Sequence, residues 1–160
     1  YKLNVKKTDS KNEALAGAGF TLYKKMADEK LVKVGEVTAG EDTEFSFTGI
    51  DDGTYVLVET TVPEGYNQAD DLEFIVTAEH EVLAVSPKLT KLETNKNTIT
   101  VEKTLNNAYY TGVLSTTVVN NAGHVLPETG GMGTTIFYVV GAVLVLGAAV
   151  TMITRKRMSR

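Results

Sequence analysis

The sequence predicts an all-β sandwich followed by a short linker and one C-terminal transmembrane helix. Three observations carry this. Short segments rich in β-branched and aromatic residues recur through about the first 120 positions, bounded by Gly, Asp and Asn turns. A 19-residue uncharged run, Ile136 to Thr154, comes near the end. A basic hexapeptide, Arg155 to Arg160, closes the chain.

The strands follow in order. "YKLNVKK" alternates, with Leu3, Val5 and Lys7 on one face and Lys2, Asn4 and Lys6 on the other. "GFTLYKKM", "LVKVGEVT", "TEFSFTG", "TYVLVETT", "LEFIVTA", "TITVEK" and "GVLSTTVVN" continue the pattern. "ADEK" at Ala27–Lys30 and "DDG" at Asp51–Gly53 have the composition of hairpin connections. "TNKNT" and "NNAYY" are polar breaks in the last third, where strand order is not legible. Short strands at this spacing favour a sandwich over a helical or βαβ fold. The domain is set at residues 1–121, with a linker at 122–125. The chain opens on Tyr1 with strand-like alternation, and the expectation is that it is the C-terminal piece of a longer precursor.

Composition narrows the function. The 160 residues carry 16 basic and 20 acidic side chains, a net charge of −4. The tail after Gly130 holds four of the basic residues and none of the acidic ones. The rest therefore has twelve basic against twenty acidic, a net of −8. Such a body argues against nucleic acid as a partner. The absence of cysteine removes disulfides, thiolate metal sites and Cys nucleophiles together. His80 and His124 stand far apart with no ligand pattern around either, so no metal or cofactor is expected. No catalytic cluster of a turnover enzyme is visible.

The tail reads as a membrane anchor. Crossing a hydrocarbon core takes roughly 20 helical residues. The span set at about 134–154 meets that length, and its Gly and Ala residues are tolerated in membrane helices. Arg155, Lys156 and Arg157 follow at once, and the positive-inside rule puts them in the cytoplasm. Everything before Gly130 then lies outside the cell.

"LPETGG" before this run and the basic tail resembles the LPXTG cell-wall sorting signal of Gram-positive surface proteins. The sorting signal covers 126–160. Leu126, Pro127, Glu128, Thr129 and Gly130 form the pentapeptide. Pro127 fixes its own φ and pushes Leu126 towards an extended conformation, which preshapes the segment for an enzyme groove. Gly130 lacks a side chain, so a thiolate can approach the Thr129–Gly130 bond. The resemblance implies that a membrane sortase cuts there, holds Thr129 as a thioester and passes it to an amine. The membrane helix holds the precursor until that cut.

"VKKTDSKNEALAGAGFTLYK" and "FSFTGIDDGTYVLVETTVPEGYN" resemble the collagen-adhesin B-type (Cna B-type) domain of pilin subunits and surface-protein stalks. That domain is an immunoglobulin-like, prealbumin-like sandwich. The likeness is weakest between Ala78 and Val113. Many such domains form an internal isopeptide bond between a Lys on the first strand and an Asn on the last, assisted by a Glu. The resemblance places these roles on Lys7, Asn120 and Glu59.

The residues themselves agree for two of the three. Lys7 shares the face of Leu3 and Val5, and Glu59 that of Tyr55 and Leu57. Parity does not separate Asn120 from Asn121, because Val118 and Val119 are both apolar. Desolvation disfavours a lysine cation, and a neutral amine is a nucleophile. A core carboxyl could hydrogen-bond the Asn amide oxygen, polarise the carbonyl and move protons as ammonia leaves. The alternative is a core Lys7–Glu59 ion pair with an ordinary turn Asn.

Two functions stay open. One is the C-terminal domain of a pilus backbone subunit, whose partners are sortase, other pilin subunits and a peptidoglycan cross-bridge amine. The other is a wall-anchored adhesin with a host extracellular-matrix ligand, whose stalk ends here. The "YPK" element of pilin backbones, whose lysine accepts the previous subunit, is absent. "VSPKL" with Lys88 is a poor echo of it.

Overall fold

A computed structural model describes residues 1–82 and 85–123, and the linker end, pentapeptide, apolar run and basic tail lie outside them. The described residues form nine strands: β1 (Lys2–Asp9), β2 (Gly19–Lys25), β3 (Leu31–Val37), β4 (Glu44–Thr48), β5 (Gly53–Thr61), β6 (Leu72–His80), β7 (Leu89–Thr94), β8 (Ile99–Lys103) and β9 (Tyr110–Asn120). They make two sheets, β4-β1-β9-β8 and β3-β2-β5-β6-β7. The all-β sandwich expected from the strand spacing is what forms. Its core is built by alternate residues of both sheets, among them Leu3, Phe20, Tyr55, Phe74 and Leu114, each at most 1% exposed.

Two details depart from the sequence reading. The first is β7, which the strand pattern does not predict. Leu89 and Leu92 are both buried although an odd spacing should send them to opposite faces. The β6 ladder explains it: Glu79 pairs Lys91 but His80 pairs Leu89, so Thr90 is an extra residue on β7. A bulge resets parity and hides the strand from a period-two search.

The second departure is at Asp51–Gly53. The Ala27–Lys30 segment does close a β2–β3 hairpin, with Met26 N–H donating to Lys30 O at 2.9 Å and Glu29 left-handed at φ 65°. Asp51–Gly53 instead carries the chain from one sheet to the other, since β4 and β5 do not pair. Ile50, 3% exposed, plugs the end of the sandwich there, held by Tyr1 at both its N–H and its carbonyl. Tyr55 reaches back from β5 and its hydroxyl donates to the Asp51 carboxylate at 2.5 Å, which also takes the Lys24 ammonium. A composition of Asp and Gly marks a turn, but only the partner strand decides whether it is a hairpin.

The pairing that matters for the site is β1 with β9. It is parallel, with Val5 opposite Thr116, Lys7 opposite Val118 and Asp9 opposite Asn120. The first and last strands of the sandwich are therefore neighbours, which the polar breaks in the sequence concealed. Beyond β9 the chain runs beside the β5–β6 connection, where Ala122 bridges to Tyr66.

Candidate functional site: a buried Lys–Glu–Asn cluster

Three chemically able side chains lie in the core: Lys7 at 0%, Glu59 at 3% and Asn120 at 1% exposure. β1 and β9 bring Lys7 and Asn120 from adjacent parallel strands, and β5 brings Glu59 from the facing sheet. Each inherits its direction from strand alternation. Lys7 follows Leu3 and Val5 inward while Lys6 is exposed. Glu59 follows Tyr55 and Leu57. On β9 the inward series runs Leu114, Thr116, Val118, Asn120, and Asn121 is exposed. The question that parity left open at Val118 and Val119 is thus answered by the β1 register.

Lys7 Nζ donates to Thr8 O at 2.9 Å and Val118 O at 3.3 Å. Both acceptors are strand carbonyls, and Val118 is two residues before Asn120 on the same face. Burial holds the Lys7 amine below the usual lysine range, opposed by the negative charges of Glu59 and Asp9. Asn120 Nδ2 donates to both Glu59 oxygens, at 2.9 and 3.0 Å. Its Oδ1 is buried without a partner, as is the Thr8 hydroxyl. Sequence reasoning put the Glu59 carboxyl against the amide oxygen of Asn120. The structure has it against the amide nitrogen, with both carboxyl oxygens accepting from Nδ2.

Residues that the sequence reading did not single out complete the shell. Ala69 N–H donates to Glu59 Oε2 at 2.9 Å, and Gln68 Nε2 donates to Glu59 O at 2.8 Å. Nothing in composition flags them; the nearest signal is the turn at Pro63–Tyr66. There Tyr66 N–H returns to Pro63 O at 3.2 Å with Gly65 at φ 82°, a left-handed position that suits glycine. The sortase pentapeptide, Leu126 to Gly130, lies outside the described residues. Among the described residues no cluster of His, Asp and Glu could hold a metal ion.

The depressed basicity of Lys7 has a testable sign. In an Asn120→Ala chain, Lys7 keeps a free amine. Its folded pKa lies below its unfolded one, so between the two values the unfolded chain binds the extra proton. Stability measured by urea unfolding should therefore rise as pH climbs above the lowered folded value towards pH ~10, the unfolded lysine value. Adding Lys7→Met should flatten that rise.

The described residues thus form a two-sheet β sandwich whose adjacent first and last strands meet at a buried polar cluster. Comparison with known proteins gives the family. Residues 1–91 match the SpaA prealbumin-like fold domain, and residues 118–159 match the LPXTG cell wall anchor motif. The chain belongs to the prealbumin-like SpaA domain family and carries a Gram-positive cell wall anchor. That anchor marks a secreted protein attached covalently at the cell wall surface.

A fimbrial subunit type 1 of Actinomyces viscosus is 37% identical over 108 residues. The match covers 67% of this chain and 16% of that protein, so the chain spans a small part of its curated relative. Among solved structures, the pilus 2b backbone protein of group B streptococcus is similar at 25% identity and a TM-score of 0.46, over 79% of this chain and 43% of that one. BcpA, the major pilin subunit of Bacillus cereus, is similar at 23% identity and a TM-score of 0.48, over 76% of this chain and 29% of that one.

Proposed function

We propose that this chain is the C-terminal domain and sorting signal of a pilus backbone subunit, cross-linked internally by a Lys7–Asn120 isopeptide bond. The observation that carries the pilus reading is the union in one chain of a prealbumin-like domain and a wall anchor, together with 37% identity to a fimbrial subunit. The organisation is a sandwich over 1–121, a linker at 122–125 and a sorting signal over 126–160. Sortase cuts between Thr129 and Gly130 and joins Thr129 to an amine of another subunit or of the peptidoglycan cross-bridge. The chain is a sortase substrate, and its only catalysis is a single internal turnover.

The burial of Lys7 beside an Asn120–Glu59 pair supports the cross-link. The neutral Lys7 amine attacks Asn120 Cγ, the Nζ–Cγ bond forms, and the Cγ–Nδ2 bond breaks. One amine proton passes to the departing nitrogen, which leaves as ammonia. Glu59, hydrogen-bonded to Nδ2, is placed to carry that proton. Lys7 supplies the nucleophile because the core disfavours its charge.

The pilus reading is tested in cells that express sortase and this subunit. Denaturing gels of wall extracts should show a ladder of covalent oligomers. A single wall-linked species would favour the adhesin instead.

A further inference from the structure

The β5–β6 connection touches both halves of the cluster at once. Within five residues, Gly65 O accepts from Gly123 N–H at 2.8 Å, Asn67 N–H donates to Asn121 O at 2.9 Å, and Ala69 N–H donates to Glu59 Oε2 at 2.9 Å. Gln68 adds its side-chain donor to Glu59 O at 2.8 Å. The hydrogen bonds close a ring: Glu59 to Asn120, along the chain to Asn121, across to Asn67, and through Gln68 and Ala69 back to Glu59. A carboxyl in a core could swing about its last torsion, which is broad. Here one of its oxygens is fixed by a backbone N–H, and that N–H belongs to the segment that also fixes the residue after Asn120.

We propose that Gly65–Ala69 is a positioning clamp for cross-link formation: it aims the Glu59 carboxyl and sets the end of β9 in one motion, so the reaction waits until the last strand has docked. This rests on the Lys7–Asn120 reading and adds to it the element that controls when the bond forms. Ala69 and Gln68 act through Glu59 and touch neither reacting atom. The clamp also explains why the strand end does not simply fray. A terminal segment is ordinarily poorly ordered, yet residues 121–123 pair with 65–67 directly after the reacting Asn. A chain whose last strand were out of register would present neither Asn121 O to Asn67 nor an oriented carboxyl to Asn120. The device thereby favours joining Lys7 to the correct partner.

The test follows bond formation in the full 160-residue chain, made by cell-free synthesis in detergent, quenched in acid at intervals and weighed intact. Gln68→Met keeps the length of the side chain and removes its donor. Gln68→Lys keeps a donor, and Ala69→Pro removes the N–H that holds Glu59 Oε2. Ångström-scale misplacement of a reacting group costs on the order of a hundredfold in rate. Ala69→Pro and Gln68→Met should therefore slow the loss of ammonia by roughly ten- to a hundredfold, while Gln68→Lys should run close to wild type. Recovery in the Gln68→Lys chain separates aiming from folding, because a side chain needed only for packing would not be replaced by a longer, charged one. If all three variants react at the wild-type rate, the clamp is wrong and the cross-link stands. If Gln68→Lys is as slow as Gln68→Met, positioning by the donor is wrong. If the wild-type chain itself keeps its full mass, both the cross-link and the clamp fall.

Discussion

The folded wild-type chain should weigh about 17 Da less than its sequence mass, because joining the Lys7 amine to the Asn120 carboxamide expels one ammonia. Lys7→Ala and Asn120→Ala should each restore the full mass. Glu59→Ala should restore it too, although Glu59 contributes no atom to the bond, because the proton then has no carrier. The thermal consequence should be large. The bond closes a loop from position 7 to position 120. By analogy with a disulfide of that span, it removes unfolded-state entropy worth about 4–5 kcal/mol. For a domain of this size, that loss corresponds to a fall in Tm of roughly 10–25 °C in each uncross-linked variant. Asn120→Ala and Glu59→Ala should both fall further within this range than Lys7→Ala, since each leaves Lys7 buried with its amine unreacted. Intact mass and differential scanning calorimetry on the same samples check both halves. A wild-type chain at full mass refutes the bond. A mass loss that survives Asn120→Ala but vanishes in Asn121→Ala would move the partner by one residue, against the burial of Asn120 and the exposure of Asn121.

What made this site legible was strand parity, and what hid parts of it was the loss of parity. Lys7 could be placed inward because "LNVKK" alternates cleanly, with Lys7 following the two apolar residues Leu3 and Val5 at even spacing. Glu59 could be placed because Tyr55 and Leu57 precede it at even spacing. Asn120 could not, since "VVNN" gives both faces the same apolar and polar residues. Only the parallel pairing of Lys7 with Val118 resolves it, and that is a contact across more than a hundred residues which no local window contains. β7 was hidden in the same way, by the bulge at Thr90. The clamp was illegible for a different reason. Asn67, Ala69, Gly65 and Gly123 take part through backbone atoms, which every residue carries, so side-chain pattern says nothing of them.

Thr129→Ala should move the protein from the cell-wall fraction to the membrane fraction. Leu126 to Gly130 precede an apolar run long enough to cross a bilayer and a cluster of cationic residues that stops transfer. The wall anchor motif matched over 118–159 covers all three parts. In the proposed reaction the cut falls between Thr129 and Gly130, and sortase would hold the acyl group of Thr129. Without it the precursor keeps its apolar run and stays in the bilayer, where insertion of a helix is effectively irreversible. Cells carrying the mutant should therefore lose nearly all lysozyme-releasable protein, gain a detergent-extractable form larger by the mass of residues 130–160, and show no oligomer ladder. The sandwich should be unaffected: its ladder ends at Asn120, nine positions before the cut, and the wild-type loss of ammonia should persist. That separation discriminates between the two covalent events. Unchanged wall attachment in Thr129→Ala would overturn the sorting assignment, and loss of the internal mass change together with anchoring would mean that the cross-link depends on processing by sortase.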